Sequence, residues 1–263
     1  MSVLKSIALA IPAIKRLRDD RDALAREAER LRKTVASRSS LQTEDPGVVA
    51  RVGKLEPLDQ IGLRNGTDKA SDRNDFLRFY EPFLQSFRLE PVRVLEIGVL
   101  GGASVRTWRD YFPYGEIIGV DINPDAKTNA GQRISIELAD QSRQDDMDRI
   151  AALGPFDLVI DDGSHVWEHQ IRAFRTLMKV VKPGGLFILE DLDTSYGRYL
   201  RDYSGSGGTT AANYLFELAG WVIGQRQLRE VEQLDPHMVA IWPTVASVSF
   251  SRGTAVVQRR TDA

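Results

Sequence analysis

Two short apolar runs, each ending in a pair of acids, constrain this chain more than any other feature. Residues 156–165 read FDLVIDDGSH and residues 184–191 read GGLFILED. Each looks like a buried strand that delivers carboxylates to one edge of a sheet: Asp161 and Asp162 from the first, Glu190 and Asp191 from the second. Ionised carboxylates repel one another and resist burial. Neighbouring strands lie about 4.8 Å apart, so their ends can share one ion. Something cationic therefore belongs between them. We read it as a divalent metal, with His165 close by as a base.

The chain around these runs alternates strand and helix. Strands are expected over 92–99, 116–122, 134–138, 156–161 and 186–190, with helices over 101–111, 147–153 and 166–181 between them. Pro183-Gly184-Gly185 reads as the turn into the fifth strand. That rhythm predicts an α/β fold, a doubly wound, mostly parallel sheet with helices on both faces. Its ligand-binding loops lie at the carboxyl edge of the strands. Residues 194–209 are rich in Gly, Ser and Thr and carry Tyr196, Tyr199 and Tyr203, which suggests a substrate lid. A helix is expected over 211–226. Runs 245–251 and 254–259 flank Arg252-Gly253 and predict a closing antiparallel hairpin. Upstream, Ser71 or Asp72 is expected to cap a helix whose apolar face holds Phe76, Leu77, Phe79, Tyr80, Phe83, Leu84 and Phe87. Residues 1–38 read as an amphipathic helix with Leu17, Leu24 and Leu31 seven apart. That helix could pair subunits as a short coiled coil or lie on a membrane surface as a peripheral contact. Residues 39–60 read as a linker, and the main domain is expected over 61–263.

Glu96-Ile-Gly98-Val-Leu-Gly101-Gly102-Ala-Ser104 joins the first strand to its helix. The glycines permit a sharp turn and close approach to a ligand, but the spacing departs from the dinucleotide fingerprint. A carboxylate at Glu96 suits a ligand bearing an amine or a cation instead. Asp121, ending the second strand, is placed to accept hydrogen bonds from two ribose hydroxyls. Asp140 and Gln141, after the third, can border an adenine. Three such positions in order resemble an S-adenosylmethionine pocket.

The strings IDDGSH (160–165), LEDLDTSYG (189–197), GTDK (66–69) and EIGVLGGAS (96–104) together resemble the metal-dependent sugar O-methyltransferases of the mycinamicin macrolide type. More distantly they are similar to the cephalosporin-hydroxylase-like group. The resemblance spans about residues 61–256. It implies a class I methyltransferase (Rossmann-like) fold, Mg2+ held by Asp162, Glu190 and Asp191, and His165 as general base beside Asp162. It also implies that the GTDK loop, Thr67 and Lys69 with Asp68, meets the donor's amino-acid end. Asp161 faces the other side of its strand and is the lesser choice as a ligand. His169 reads as structural or as a support to the residues that touch the ligand. The reaction implied is methyl transfer to a sugar hydroxyl of a glycosylated natural product, glycolipid or polysaccharide. A catechol or other non-sugar diol is the alternative acceptor, and a non-catalytic donor-binding scaffold a more remote reading. Iron chemistry ranks low, because three carboxylates suit a hard, oxygen-seeking ion better than an iron site built from two His and one carboxylate.

Composition narrows the partners. Lys and Arg total 35 against 37 Asp and Glu, a net charge of -2, so nothing favours nucleic acid. The chain has no cysteine, which removes disulfides and thiolate metal sites and fits a cytoplasmic setting. No apolar run is long enough to span a membrane, and the first residues lack a convincing signal cleavage site. A homo-oligomer is expected.

Overall fold

Side chains along each strand alternate between two faces, and in this protein both faces are buried. A computed structural model describes residues 55–224 and 235–262. The helix expected over 1–38 and most of the linker lie outside the described residues. Five parallel strands, β1 (Arg93–Ile97), β2 (Glu116–Asp121), β3 (Ile134–Leu138), β4 (Phe156–Asp161) and β5 (Val181–Leu189), are followed by β6 (Val245–Ser251) and β7 (Thr254–Arg259). The spatial order is β3-β2-β1-β4-β5-β7-β6, with β7 antiparallel to both neighbours. The order reverses at β1, so β1 and β4 bound the crevice where such sheets bind ligands.

One face carries Leu95, Ile97, Val159, Phe187 and Leu189 against α4 (Gln144–Ala151), α5 (Trp167–Leu177), α7 (Ala211–Val222) and α8 (Pro236–Ile241). The other carries Val94, Leu158, Ile160, Leu186 and Ile188 against α1 (Leu58–Asn65), α2 (Leu77–Leu84) and α3 (Ala103–Tyr111). The remaining helix, α6 (Leu200–Tyr203), is one turn in the connection after β5. Among the described residues no helix is long and apolar enough to cross a membrane.

Several boundaries differ from expectation for local reasons. Helix α1 already runs at Leu58, so the expected linker has ended before residue 60. Ser71 does not cap α2: its N–H and hydroxyl both donate to Asp59, at 2.8 and 2.7 Å, and α2 starts after Phe76. Strand β5 begins at Val181 rather than Leu186, because the PGG segment stays in the sheet and absorbs a register shift against β4. Helix α5 accordingly stops at Leu177 and passes through one 3-10 turn.

Candidate active site

The carboxyl ends of β1, β2 and β4 open into a cavity of about 560 Å³. Gly98 and Gly102 take left-handed conformations, φ 91° and 77°. A side chain at Gly98 would overlap the carbonyl oxygen of Asp162, so β1 and β4 can approach this closely only with glycine there. Asp121 holds the turn from the other side. Its carboxylate accepts the N–H of Val99 and Leu100, each at 2.9 Å, and of Asn123 at 2.8 Å. Burial alone would raise its pKa; these backbone donors more than offset that and bring it below the usual carboxylate range. Gly98, Ser104, Asp121, Asp140, Gln141 and Thr67 all line the cavity. Gln141 does so with its amide already committed: Nε2 donates to Asp161 and Oε1 accepts from Ser164.

Asp162, His165 and Asp191 line the same cavity. One potential ligand atom from each lies within 4.8 Å of the others. His165 Nε2 sits 3.3 Å from Asp191 Oδ2, while its Nδ1 is buried without a partner. His165 and Asp191 both hold positive φ, 57° and 54°, and Leu100 on the opposite wall holds 47°. Non-glycine residues adopt this region at a cost, and three of the chain's described examples fall around one cavity. His169 also lines the cavity, with Nδ1 2.9 Å from the Ser164 hydroxyl.

Three expected site residues lie elsewhere. Lys69, assigned to the donor, is 1% exposed and does not line the cavity. Its ammonium is bonded to Asp162 and lies 2.6 Å from Glu190 Oε2 and 3.8 Å from Glu96 Oε1. A lysine this deep must be paired, and the surrounding acids claim all of its reach. Burial lowers its pKa, but Glu190, Asp162 and Glu96 outweigh burial and hold it well above the ordinary value. Glu190, expected as a metal ligand, does not line the cavity either. One of its oxygens faces Lys69 and the other accepts from the Tyr80 hydroxyl at 3.0 Å. Glu96 lies beneath the glycine turn, fully buried, covered by Ser104, whose hydroxyl donates to it at 2.8 Å. Burial pushes Glu96 up to about 7 despite Lys69. Its Oε1 has no hydrogen-bond partner. Asp161 is turned to the opposite face, where Gln141 donates to both oxygens, and burial pushes it up to about 7.

The cation demanded by the acidic strand ends thus exists within the chain, as Lys69. It does not complete the account. Glu96, Asp162, Glu190 and Asp191 are four carboxyl groups around one ammonium and one imidazole, and two of them, Asp162 and Asp191, line the cavity.

Comparison with known proteins agrees with this geometry. The family model described as a methyltransferase domain matches residues 94–185. The chain is 39% identical over 169 residues to the 8-demethyl-8-(2-methoxy-alpha-L-rhamnosyl)-tetracenomycin-C 3'-O-methyltransferase of Streptomyces olivaceus, covering 60% of this chain and 42% of that protein. It is 39% identical over 158 residues to the mycinamicin VI 2''-O-methyltransferase of Micromonospora griseorubida, covering 57% and 39%. Among solved structures it is similar to the MycE methyltransferase from the mycinamycin pathway in complex with Mg and SAH. That match has a TM-score of 0.68 at 31% identity and covers 79% of this chain and 55% of that one. The chain spans about two-fifths of the length of the curated relatives it matches. Together these comparisons show a class I methyltransferase (Rossmann-like) fold, with a methyltransferase-domain match over residues 94–185 and similarity to sugar O-methyltransferases.

Proposed function

We propose that this protein transfers a methyl group from S-adenosylmethionine to a hydroxyl of a sugar carried by a natural product or other glycoconjugate, with Mg2+ as cofactor. The observation that carries the reading is the convergence of Asp162, His165 and Asp191 in a cavity that the glycine turn and Asp121 also line.

The donor would lie along the glycine turn. Asp121 would receive its ribose hydroxyls through the lone pairs its backbone partners leave free. Asp140 and Gln141 would border the base, and Thr67 with Asp68 would meet the amino-acid end. Glu96 serves from below, holding Ser104 in place. The acid cluster fits a hard divalent ion, since two of its four carboxyl groups line the cavity. Asp162 and Asp191 would hold that ion, and Glu190, one residue back, would join them only if its Oε2 gave up Lys69. Bound there, magnesium would lower the pKa of a coordinated hydroxyl and fix its oxygen. His165 turns Nε2 toward Asp191, the side from which it would meet an acceptor hydroxyl held at these carboxylates. His165 takes the hydroxyl proton on Nε2. The acceptor oxygen forms the new C–O bond to the methyl carbon as the C–S bond breaks and its electron pair returns to sulfur. The protein contributes mainly alignment of the two reactants and placement of charge.

A homo-oligomer and a cytoplasmic setting belong to the same proposal. The seven-residue spacing of Leu17, Leu24 and Leu31 supports the first, and the lack of cysteine is compatible with the second. Light scattering of the purified chain checks the assembly.

The decisive measurement is mass spectrometry of methyl transfer across a panel of glycosides, with Mg2+ or with excess chelator. Transfer to a sugar hydroxyl is expected only with the metal. His165→Ala should lower kcat by about 10²–10⁴-fold with donor affinity, read by calorimetry, unchanged. Full activity of that variant in chelator would reject the mechanism. Transfer confined to catechols in the same panel would reject the acceptor.

A further inference from the structure

Beyond the metal end of the cavity, the chain leaves β5 as a strap fixed at several points. The Leu192 N–H donates to Gly253 O at 2.8 Å, and the Thr194 hydroxyl to Asp191 O at 2.7 Å. Trp167 Nε1 donates to Thr194 O at 3.2 Å. Buried Ser195 accepts the Ala212 N–H at 3.2 Å, tying the strap's start to the first turn of α7. Further along, the Ser206 hydroxyl donates to Glu168 Oε2 at 2.5 Å, fastening the strap to the first turn of α5. A segment held this way presents a defined surface.

That surface is aromatic, and it adjoins the candidate base. The Tyr203 ring lies 6.2 Å from the His165 imidazole, centroid to centroid, tilted by 59°. Tyr199 meets Tyr203 edge-on at 6.1 Å, fixing its orientation. Arg198 stacks over Tyr199 at 4.7 Å and bonds its hydroxyl, leaving Tyr203 as the ring nearest the chemistry. Tyr196 and Leu200 flank the pair, 48% and 45% exposed. Aromatic and aliphatic groups contribute to folding by leaving water. Here a pinned strap keeps them at the surface beside the reacting end of the cavity, where exposed apolar groups gathered together mark an interaction site.

We propose that Tyr203, supported by Tyr199, is the platform for the acceptor's sugar ring. This rests on the function proposed above and names the subsite it requires. A hexose or 6-deoxyhexose has a face of C–H bonds and a rim of hydroxyls. Laid with its C–H face on Tyr203, the ring buries apolar surface on an aromatic face while its hydroxyl rim reaches His165, Asp162 and Asp191. The platform recognises ring shape and leaves the aglycone free.

The test uses methyl α-L-rhamnopyranoside, which has no aromatic aglycone to confuse the result. It is titrated into the full chain saturated with S-adenosylhomocysteine and Mg2+ and followed by proton NMR. In the wild type, the C–H protons of one sugar face should shift upfield under an aromatic ring. Tyr203→Ala should abolish that shift and weaken binding about five- to tenfold, the scale of one lost aromatic contact. Tyr203→Phe should retain both within about twofold, and all three proteins should bind S-adenosylhomocysteine equally. Absence of rhamnoside binding to the wild type would overturn the proposal, as would binding and shifts unaltered in Tyr203→Ala. Turnover is scored separately: binding with the upfield shift but no methyl transfer sinks the activity proposed above and leaves the platform standing.

Discussion

Lys69 shows how far a single residue's role can be read from sequence. The need for a cation between the acidic ends of β4 and β5 follows from charge repulsion alone. What supplies it does not, because a lysine in the polar string GTDK carries no local sign of complete burial. Only the fold brings that loop across to Asp162 and Glu190. The reverse holds for Asp162, His165 and Asp191, whose positions one to four residues beyond a strand end fix the edge of the sheet they occupy. Glu190 comes first after β5, and its neighbours in space, Tyr80 and Lys69, both come from distant sequence. Replacing Lys69 by methionine leaves Glu190 and Asp162 facing each other with no ammonium between them. Breaking a buried pair on one side costs about 3–5 kcal/mol. Lys69→Met should show a loss of that size in urea denaturation, and an unchanged midpoint would mean the ammonium is not engaged as described.

At the scale of elements, the strands are legible because β1, β2, β4 and the end of β5 are short, mostly apolar runs buried on both faces. The ends that moved are those where side chains or backbone geometry override pattern. Ser71 spends both its donors on Asp59 instead of capping α2, and Pro183-Gly184-Gly185 bulges within β5 instead of preceding it. The β1–α3 turn belongs to the same scale, since Asp121 on β2 holds it by accepting from Val99 and Leu100. That carboxyl titrates below its usual range in the folded protein. An unfolded Asp titrates near 3.9, so the contribution is complete above about pH 4 and disappears as pH falls through the lower folded pKa. Stability measured by urea between pH 6 and pH 3 should therefore fall less in Asp121→Asn than in the wild type. An identical fall in both would show that the turn does not depend on the charge.

For the whole molecule, the alternation of strand and helix was sufficient to foretell a parallel sheet covered on both sides, with the polar ends gathered at one edge. The strand order and the depth at which Glu96 and Lys69 lie were not legible, because both depend on contacts between segments far apart in sequence. The cavity belongs to the assembled sheet, so an ion bound at Asp162 and Asp191 joins β4 to β5 and should stabilise the entire fold. At tenfold excess over its Kd, a ligand specific for the native state adds about 1.4 kcal/mol, or roughly 3–5 °C in Tm for a domain of this size. Mg2+ should raise Tm by that amount in the wild type and leave Asp191→Asn unchanged. A shift of equal size in the variant would place the ion elsewhere.

The strap also has a bearing on how this scaffold could be redesigned. Its fastenings at Leu192, Ser195 and Ser206 reach Gly253, Ala212 and Glu168, none of which lines the donor cavity, while Thr194 bonds Asp191 and Trp167. The stretch from Leu192 to Thr210 is therefore a cassette with its own sockets. On the function proposed above, a homologous insert that kept those attachments would change the choice of acceptor while the donor pocket beneath it stayed as it is.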